Sequence, residues 1–263
     1  MEKRETKSPI KDLPVHQAGA SSRKYVDKLI DGKAMEPVLM AILIGLVAFI
    51  EWCNYFFKLS LAVPITFTII AMIVVVWAFF KVRAVHSKVK ALRLGIMGEE
   101  AVGQYLEEKL RPIGCQVMHD VPGDSFNLDH VVIGPTGVFC IETKTRSKPA
   151  YGSPPVQYDG EKITVNGFPD RDPIVQVKSA ACWLHDLLER TTGKKFMVKP
   201  IVLYPGWFVK KMPENADVWV LNEKALPTFI SNAKNNPLPL EDISLITFHL
   251  KRYVISEMEN KKY

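Results

Sequence analysis

The chain has 263 residues, a formal net charge of +6 and a hydrophobic fraction of 48%. That length can bury a real core, and the small positive excess is compatible with a polyanionic partner without identifying one. Four cysteines, Cys53, Cys115, Cys140 and Cys182, form no Cys-x-x-Cys pair and match no zinc spacing; they read as reduced thiols of a cytosolic soluble part.

Residues 1–36 read as a polar cytoplasmic tail with eight Lys/Arg and six Asp/Glu. No periodic pattern appears in it before a short helix near Ser22–Ile30. Pro37–Ile50 is an uncharged run of 14 residues, continued after Glu51 by Trp52, Cys53, Asn54, Tyr55, Phe56 and Phe57. Leu59–Phe80 is a second uncharged run, 22 residues long. A spanning helix needs roughly 20 mostly apolar residues. The second run meets that length alone. The first meets it if Glu51 lies at the interface, where Trp52 and Tyr55 suit an aromatic belt. Residues 37–80 therefore read as a transmembrane helical hairpin with a tight turn near Asn54–Ser60. A signal peptide fits poorly, since the apolar run starts late and lacks a small-residue cleavage site.

Orientation follows from the flanks. Arg23, Lys24, Lys28 and Lys33 precede the first run, Lys81, Arg83, Lys88, Lys90 and Arg93 follow the second, and only Lys58 lies between. The positive-inside rule puts both termini in the cytoplasm. The expected location is the cell's inner (plasma) membrane. Residues 81–94 read as a juxtamembrane helix with its basic residues at headgroup level.

Gly95–Leu110 carries Ile96, Val102, Leu106 and Leu110 on one helical face, and Pro112 and Gly114 end it. Strands are predicted at Cys115–Val121, Asn127–Ile133 and Val138–Thr145, the last two joined by a Gly-Pro-Thr-Gly turn. Val156–Tyr158 and Lys162–Val165 form a hairpin candidate, with turn signals at Asp159-Gly160 and Asn166-Gly167. Pro173–Arg190 reads as a helix with Pro in its first turn. A strand over Val198–Tyr204 follows, then a strand at Val218–Leu221, a short helix at Ala225–Ile230 and a final helix at Ile243–Val254. No internal repeat occurs.

Asp129 lies on the second strand, and Glu142 and Lys144 are two apart on the third. Residues i and i+2 of a strand share a face. The short turn makes the two strands antiparallel neighbours, so Asp129 can sit beside Glu142. Paired carboxylates suit Mg²⁺, which takes one or two of them and completes its octahedron with water and phosphate. Such a metal polarises phosphate and acidifies bound water, and the Lys144 ammonium could orient that water or offset charge on phosphorus. Alone, Asp-x₁₂-Glu-x-Lys is a weak pattern, and a surface ion pair between Glu142 and Lys144 would leave the same trace. Against that stands the continuous apolar run Val138–Ile141, which suggests a buried strand ending at a sheet rim. His130 alternates to the opposite side from Asp129 and reads as structural. Asp172 either caps the helix opened by Pro173 or serves the site.

The segment from Gly95 to about Arg190 resembles the NERD (nuclease-related) domain, a branch of the PD-(D/E)XK, restriction-endonuclease-like superfamily. The residues that carry the resemblance are Gly98-Glu99, Asp129-His130-Val131-Val132-Ile133, Gly137-Val138-Phe139-Cys140-Ile141-Glu142-Thr143-Lys144, and Asp172-Pro173 with Gln176. One departure is Leu128, where the superfamily name has proline. The resemblance implies an α/β fold with a restriction-endonuclease-like mixed sheet flanked by helices, here preceded by the two-helix transmembrane hairpin. The nuclease-like domain would occupy residues 95–210, and residues 211–263 would be a C-terminal extension packing on it. It further implies Asp129 and Glu142 as metal carboxylates, Glu99 as the helix acid completing the metal site, Lys144 as the catalytic lysine and Gln176 as a polar helix residue of the active site. The cofactor implied is Mg²⁺ (or Mn²⁺). The partners expected are nucleic acid, DNA ahead of RNA, and the lipid bilayer. The reading is a membrane-anchored endonuclease. Its rival is a tethered module that binds nucleic acid or a partner protein without cleavage, and a third reading is a structural membrane protein that only recruits partners.

Overall fold

The computed structural model of the chain describes residues 17–57, 62–149, 152, 155–210, 212–213, 215–233 and 237–260. Residues 21–94 form one compact unit, and residues 95–263, with the described residues up to Ala20, form another. The predicted polar tail lies mostly outside the described residues, as does part of the predicted turn at Asn54–Ser60.

The first unit holds helix α1 (Ala20–Leu29), a π-helical turn (Ile30–Ala34), helix α2 (Met35–Phe56) and the opening of helix α3 (Ala62–Leu110). Both α2 and the first part of α3 are long and apolar enough to cross a membrane by length and composition. Their large apolar side chains point outward: Leu43, Phe49, Met72 and Phe80 are all more than half exposed. A polar tie joins the two helices, because the Trp52 indole N–H donates to Thr68 Oγ1 at 2.9 Å while that hydroxyl donates to the Pro64 carbonyl at 2.7 Å.

The sequence divides residues 59–110 into three helical pieces, yet α3 runs unbroken from Ala62 to Leu110. The reason is local. Between Lys81 and Leu110 there is no proline, and glycine inside a helix costs only about 1 kcal/mol relative to alanine. Gly95, Gly98 and Gly103 therefore weaken the helix without ending it. It stops where Pro112 and a left-handed Gly114 (φ 84°) follow.

In the second unit, strands β1 (Gln116–Pro122), β2 (Asn127–Gly134) and β3 (Gly137–Thr143) form an antiparallel meander. Strands β4 (Gln157–Tyr158), β5 (Ile163–Val165) and β6 (Phe168–Asp170) make a separate small sheet, β6 being an addition to the predicted two-strand hairpin. Helix α4 (Asp172–Thr192) crosses over to β7 (Val198–Leu203), which pairs parallel to β3, and β8 (Trp219–Leu221) pairs parallel to β7. The main sheet is thus mixed, ordered β1-β2-β3-β7-β8. Helices α5 (Leu226–Ser231) and α6 (Leu240–Asn260) complete the chain.

Strand alternation sorts the core into two layers. Val138 and Cys140 of β3 pack with Val177 and Leu184 of α4 and Ile246 of α6. Phe139 and Ile141 face the other way, onto Val102 and Leu106 of α3 and Leu226 of α5. Buried on both faces, β3 is the continuous apolar strand that the sequence suggests. All four cysteines are free thiols.

Candidate functional site

Where β3 ends, its last residues leave the apolar core. Thr143 pairs with Leu203 at the end of β7, and the Lys144 amide donates to the Leu203 carbonyl at 2.8 Å. Glu142 is buried at 5% exposure, while Lys144 stands half-buried at the rim. The Lys144 ammonium donates to Glu142 Oε1 at 2.7 Å and to Gln176 Oε1 at 2.8 Å. Gln176 comes from the start of α4, whose apolar face is fixed against β3 by Ile174 and Val177. The helix thereby holds a polar residue over the strand end. An ammonium has three donors, so one N–H of Lys144 remains for a further partner.

Asp129 lies one step beyond the last paired residues of β2 and β3, His130 and Ile141. The ladder ends there because the Asp129 carboxylate takes over, with Oδ2 accepting the Thr143 amide at 2.7 Å. Glu99 enters from α3. Gly98 makes this approach possible: a Cβ at that position would lie 1.7 Å from Thr145 Oγ1 and 2.9 Å from Thr145 Cβ.

The three carboxyls sense one another. Burial first, then the charges of Asp120 and Glu142, raise the Glu99 pKa from the ordinary 4.5 to about 7. Asp129 is pushed well above the usual carboxylate range by burial and then by Glu142 and Glu99. Burial also raises Glu142, against the opposing pull of Lys144. So Glu99, Asp129 and Glu142 share a partly desolvated space in which Lys144 is the cation acting on all three. An all-oxygen, excess-negative donor set of this kind suits a hard divalent cation. Among the described residues no group of three or more His, Cys, Asp or Glu side chains is gathered closely enough to hold a metal ion as it stands.

All five residues picked from the sequence therefore meet at one end of the sheet. Asp120 joins them and was read only as part of a strand. It is 6% exposed, adopts a left-handed φ of 49°, and accepts a hydrogen bond from Asn127 Nδ2 at 3.1 Å. The β1–β2 pairing, extended by one step from His119–His130, sets Asp120 opposite Asp129, a relation that strand register alone could have suggested. His130 lies in a separate buried chain: its Nδ1 is 2.8 Å from His119 Nδ1, and His119 Nε2 is 3.1 Å from Glu107 Oε1. Burial lowers both imidazole pKa values, His119 to about 4, and holds the rings neutral. Asp172 does not cap α4 with its side chain. Instead Asp170 Oδ1 accepts the Asp172 amide at 3.0 Å, and its Oδ2 accepts from Arg146 at 3.0 Å.

The Glu99 shift has a measurable consequence in metal-free protein. Between pH 4.5 and about 7 the folded chain keeps a proton that the unfolded chain has lost, so this group makes stability fall as pH rises through that window. In EDTA, Glu99→Gln is expected to raise the melting temperature at pH 8 and to have little effect below pH 4.5. An offset that stays the same at every pH would show that the Glu99 charge is not the cause.

Residues 94–205 match the family profile described as "Nuclease-related domain". No curated protein is matched. Among solved structures, SfsA of Pyrococcus furiosus in complex with Ca2+ is similar at 17% identity and a TM-score of 0.29, over 48% of this chain and 55% of that one. The chain thus spans about half the length of that protein.

Proposed function

With a nuclease-related domain over residues 94–205, we propose that this protein is a membrane-anchored, metal-dependent nuclease. It hydrolyses phosphodiester bonds of nucleic acid, DNA ahead of RNA, on the cytoplasmic face of the inner membrane. The observation that supports this most is the joining of Lys144 to both Glu142 and Gln176 beside the Asp129 carboxylate. Asp129 and Glu142, completed by Glu99, would hold Mg²⁺ or Mn²⁺, which supplies Lewis acidity toward a phosphate oxygen and acidifies water bound to it.

The remaining steps belong to the chain's own side chains. Gln176 and Glu142 fix the Lys144 ammonium, so its remaining N–H would be available from a preset position to an attacking water or a non-bridging phosphate oxygen. The Thr143 amide fixes the Asp129 carboxylate and keeps one of its oxygens turned to the backbone. Glu99 is the third carboxyl of this space, and completing a cation site would require it ionised, against the burial that raises its pKa in the metal-free chain. Anchoring rests on the two apolar helices and on the excess of Lys and Arg outside them.

The test uses the full chain in detergent, incubated with plasmid DNA and with RNA. Cleavage of DNA in Mg²⁺ or Mn²⁺, abolished by EDTA, is expected. Nucleic-acid binding with no cleavage under any metal condition would favour the binding module instead.

A further inference from the structure

Lys199 stands where the sheet calls for a core residue. On β7 the residues Lys199, Ile201 and Leu203 share one face. Ile201 and Leu203 are fully buried in the layer between the sheet and helices α3 and α5. Lys199 pairs with Phe139, whereas Leu203 pairs with Thr143 beside the candidate metal site. Four steps of roughly 3.3 Å put about 13 Å of strand between the two positions. An apolar residue would close the layer here, and the half-buried lysine loses part of its hydration instead. Burial lowers its pKa, Asp217 opposes that shift and Lys178 adds to it.

The Lys199 ammonium is held but not neutralised. It donates to the Ala216 carbonyl at 2.8 Å and lies 5.2 Å from the centre of the Trp219 ring. Among the described residues it forms no ion pair, and the carboxylate whose charge reaches it, Asp217, is bound by Lys178 at 2.9 Å. Ala216 and Trp219 line a cavity of about 590 Å³ along the edge strand β8, together with Lys199, Lys210, Met212 and Phe229. That size is ordinary for a small-molecule site. One wall is an aromatic cluster: Phe139 stacks on Trp219 at 6.0 Å, and Phe229 meets it edge-on at 5.5 Å. The charge is positive. Asp217 is the one carboxylate among the described lining residues, against Lys199 and Lys210. Lys210 is exposed and forms no ion pair among the described residues.

A partly desolvated cation without a counter-ion is stabilised by an anion brought into the same space. A phosphate monoester carries about −1.5 to −2 charges at neutral pH. It therefore matches two lysines better than a single carboxylate does, and lysine serves phosphate as a point charge. The rings and Met212 suit a planar apolar body attached to that phosphate. We propose that the cavity beside Lys199 and Trp219 binds a small phosphate monoester with an aromatic body, of the size of a nucleoside monophosphate. The site is separate from the candidate metal site, and the inference does not depend on the nuclease reading.

Binding is measured by isothermal titration calorimetry, with the full chain in detergent and EDTA, using adenosine and thymidine 5′-monophosphate. Saturable one-to-one binding of at least one of them is expected. The matching nucleoside and inorganic phosphate should each bind at least about tenfold more weakly, because each lacks one half of the ligand. Lys199→Met should weaken binding at least about tenfold, the low end for losing a hydrogen bond to a charged group. Methionine suits the inward face of β7, and the melting temperature checks that the fold survives. If it falls, Lys210→Gln decides: at an exposed position it should weaken binding by about two- to fivefold, the effect of one exposed charge. Glu142→Ala should leave the affinity unchanged, which separates this cavity from the candidate metal site. No saturable binding of either nucleotide overturns the proposal. So does an affinity that survives both lysine substitutions, or a nucleoside that binds as tightly as its phosphate. Binding lost in Glu142→Ala and kept in Lys199→Met would place the anion at the other site and overturn it as well.

Discussion

Replacing Lys144 by alanine is expected to lower cleavage by about a hundredfold or more while leaving metal binding intact or tighter. The magnitude is that of removing one preorganised contact to the transition state. The direction on metal follows from position. The ammonium is 2.7 Å from Glu142 Oε1 and acts on Glu99 and Asp129 too. Its removal deletes a positive charge that competes with a cation for those oxygens. Glu142→Ala should differ, losing both metal affinity and cleavage, because it deletes a donor oxygen. Nucleic-acid affinity should fall little in either variant, since many basic residues share the phosphate contacts. Single-turnover cleavage measured beside Mn²⁺ affinity separates these effects. Cleavage that survives both substitutions would move the active site elsewhere.

The second large effect is expected from Gly98→Ala, a change of one methyl group outside the set of charged residues. The new Cβ would meet Thr145 Oγ1 at 1.7 Å and Thr145 Cβ at 2.9 Å. Rotating the threonine hydroxyl relieves the first contact and leaves the second, so α3 and the end of β3 must separate. Glu99 is the next residue on the helix. A displacement near 1 Å at a catalytic group costs on the order of a hundredfold in rate, and a loss of at least tenfold is expected here. Alanine is intrinsically the better helix former by about 1 kcal/mol, so the helix itself should not suffer. Thr145→Gly in the same chain should restore much of the lost activity by reopening the space. A G98A protein of wild-type activity would show that close helix–strand approach does not position Glu99.

Much of the architecture was legible because its signals are periodic and local. The meander β1–β3, helix α4 and strand β7 follow from alternation, from Gly-Pro-Thr-Gly and from Pro173. The pairing of Asp129 with the Glu142 strand followed from a short turn and a period of two. Gln176 is a different case. It lies 32 residues from Lys144 in sequence, and only the resemblance to a known domain pointed to it. The unbroken α3 was hidden because glycines suggest boundaries, whereas helix ends are decided by caps and prolines. Asp120 was missed because its role depends on a left-handed backbone at one position, which asparagine and aspartate tolerate but do not announce. Strand β6 was missed because three residues between a turn and a helix carry no readable period.

The central claim is that Asp129 and Glu142 form one divalent-cation site. The most direct measurement is a titration of the full chain with Mn²⁺, followed by electron paramagnetic resonance, for the wild type, Asp129→Asn and Glu142→Ala. Saturable binding by the wild type that weakens strongly in each variant is the predicted result. Binding that is unchanged in both variants would contradict the claim, because neither carboxylate could then belong to the site.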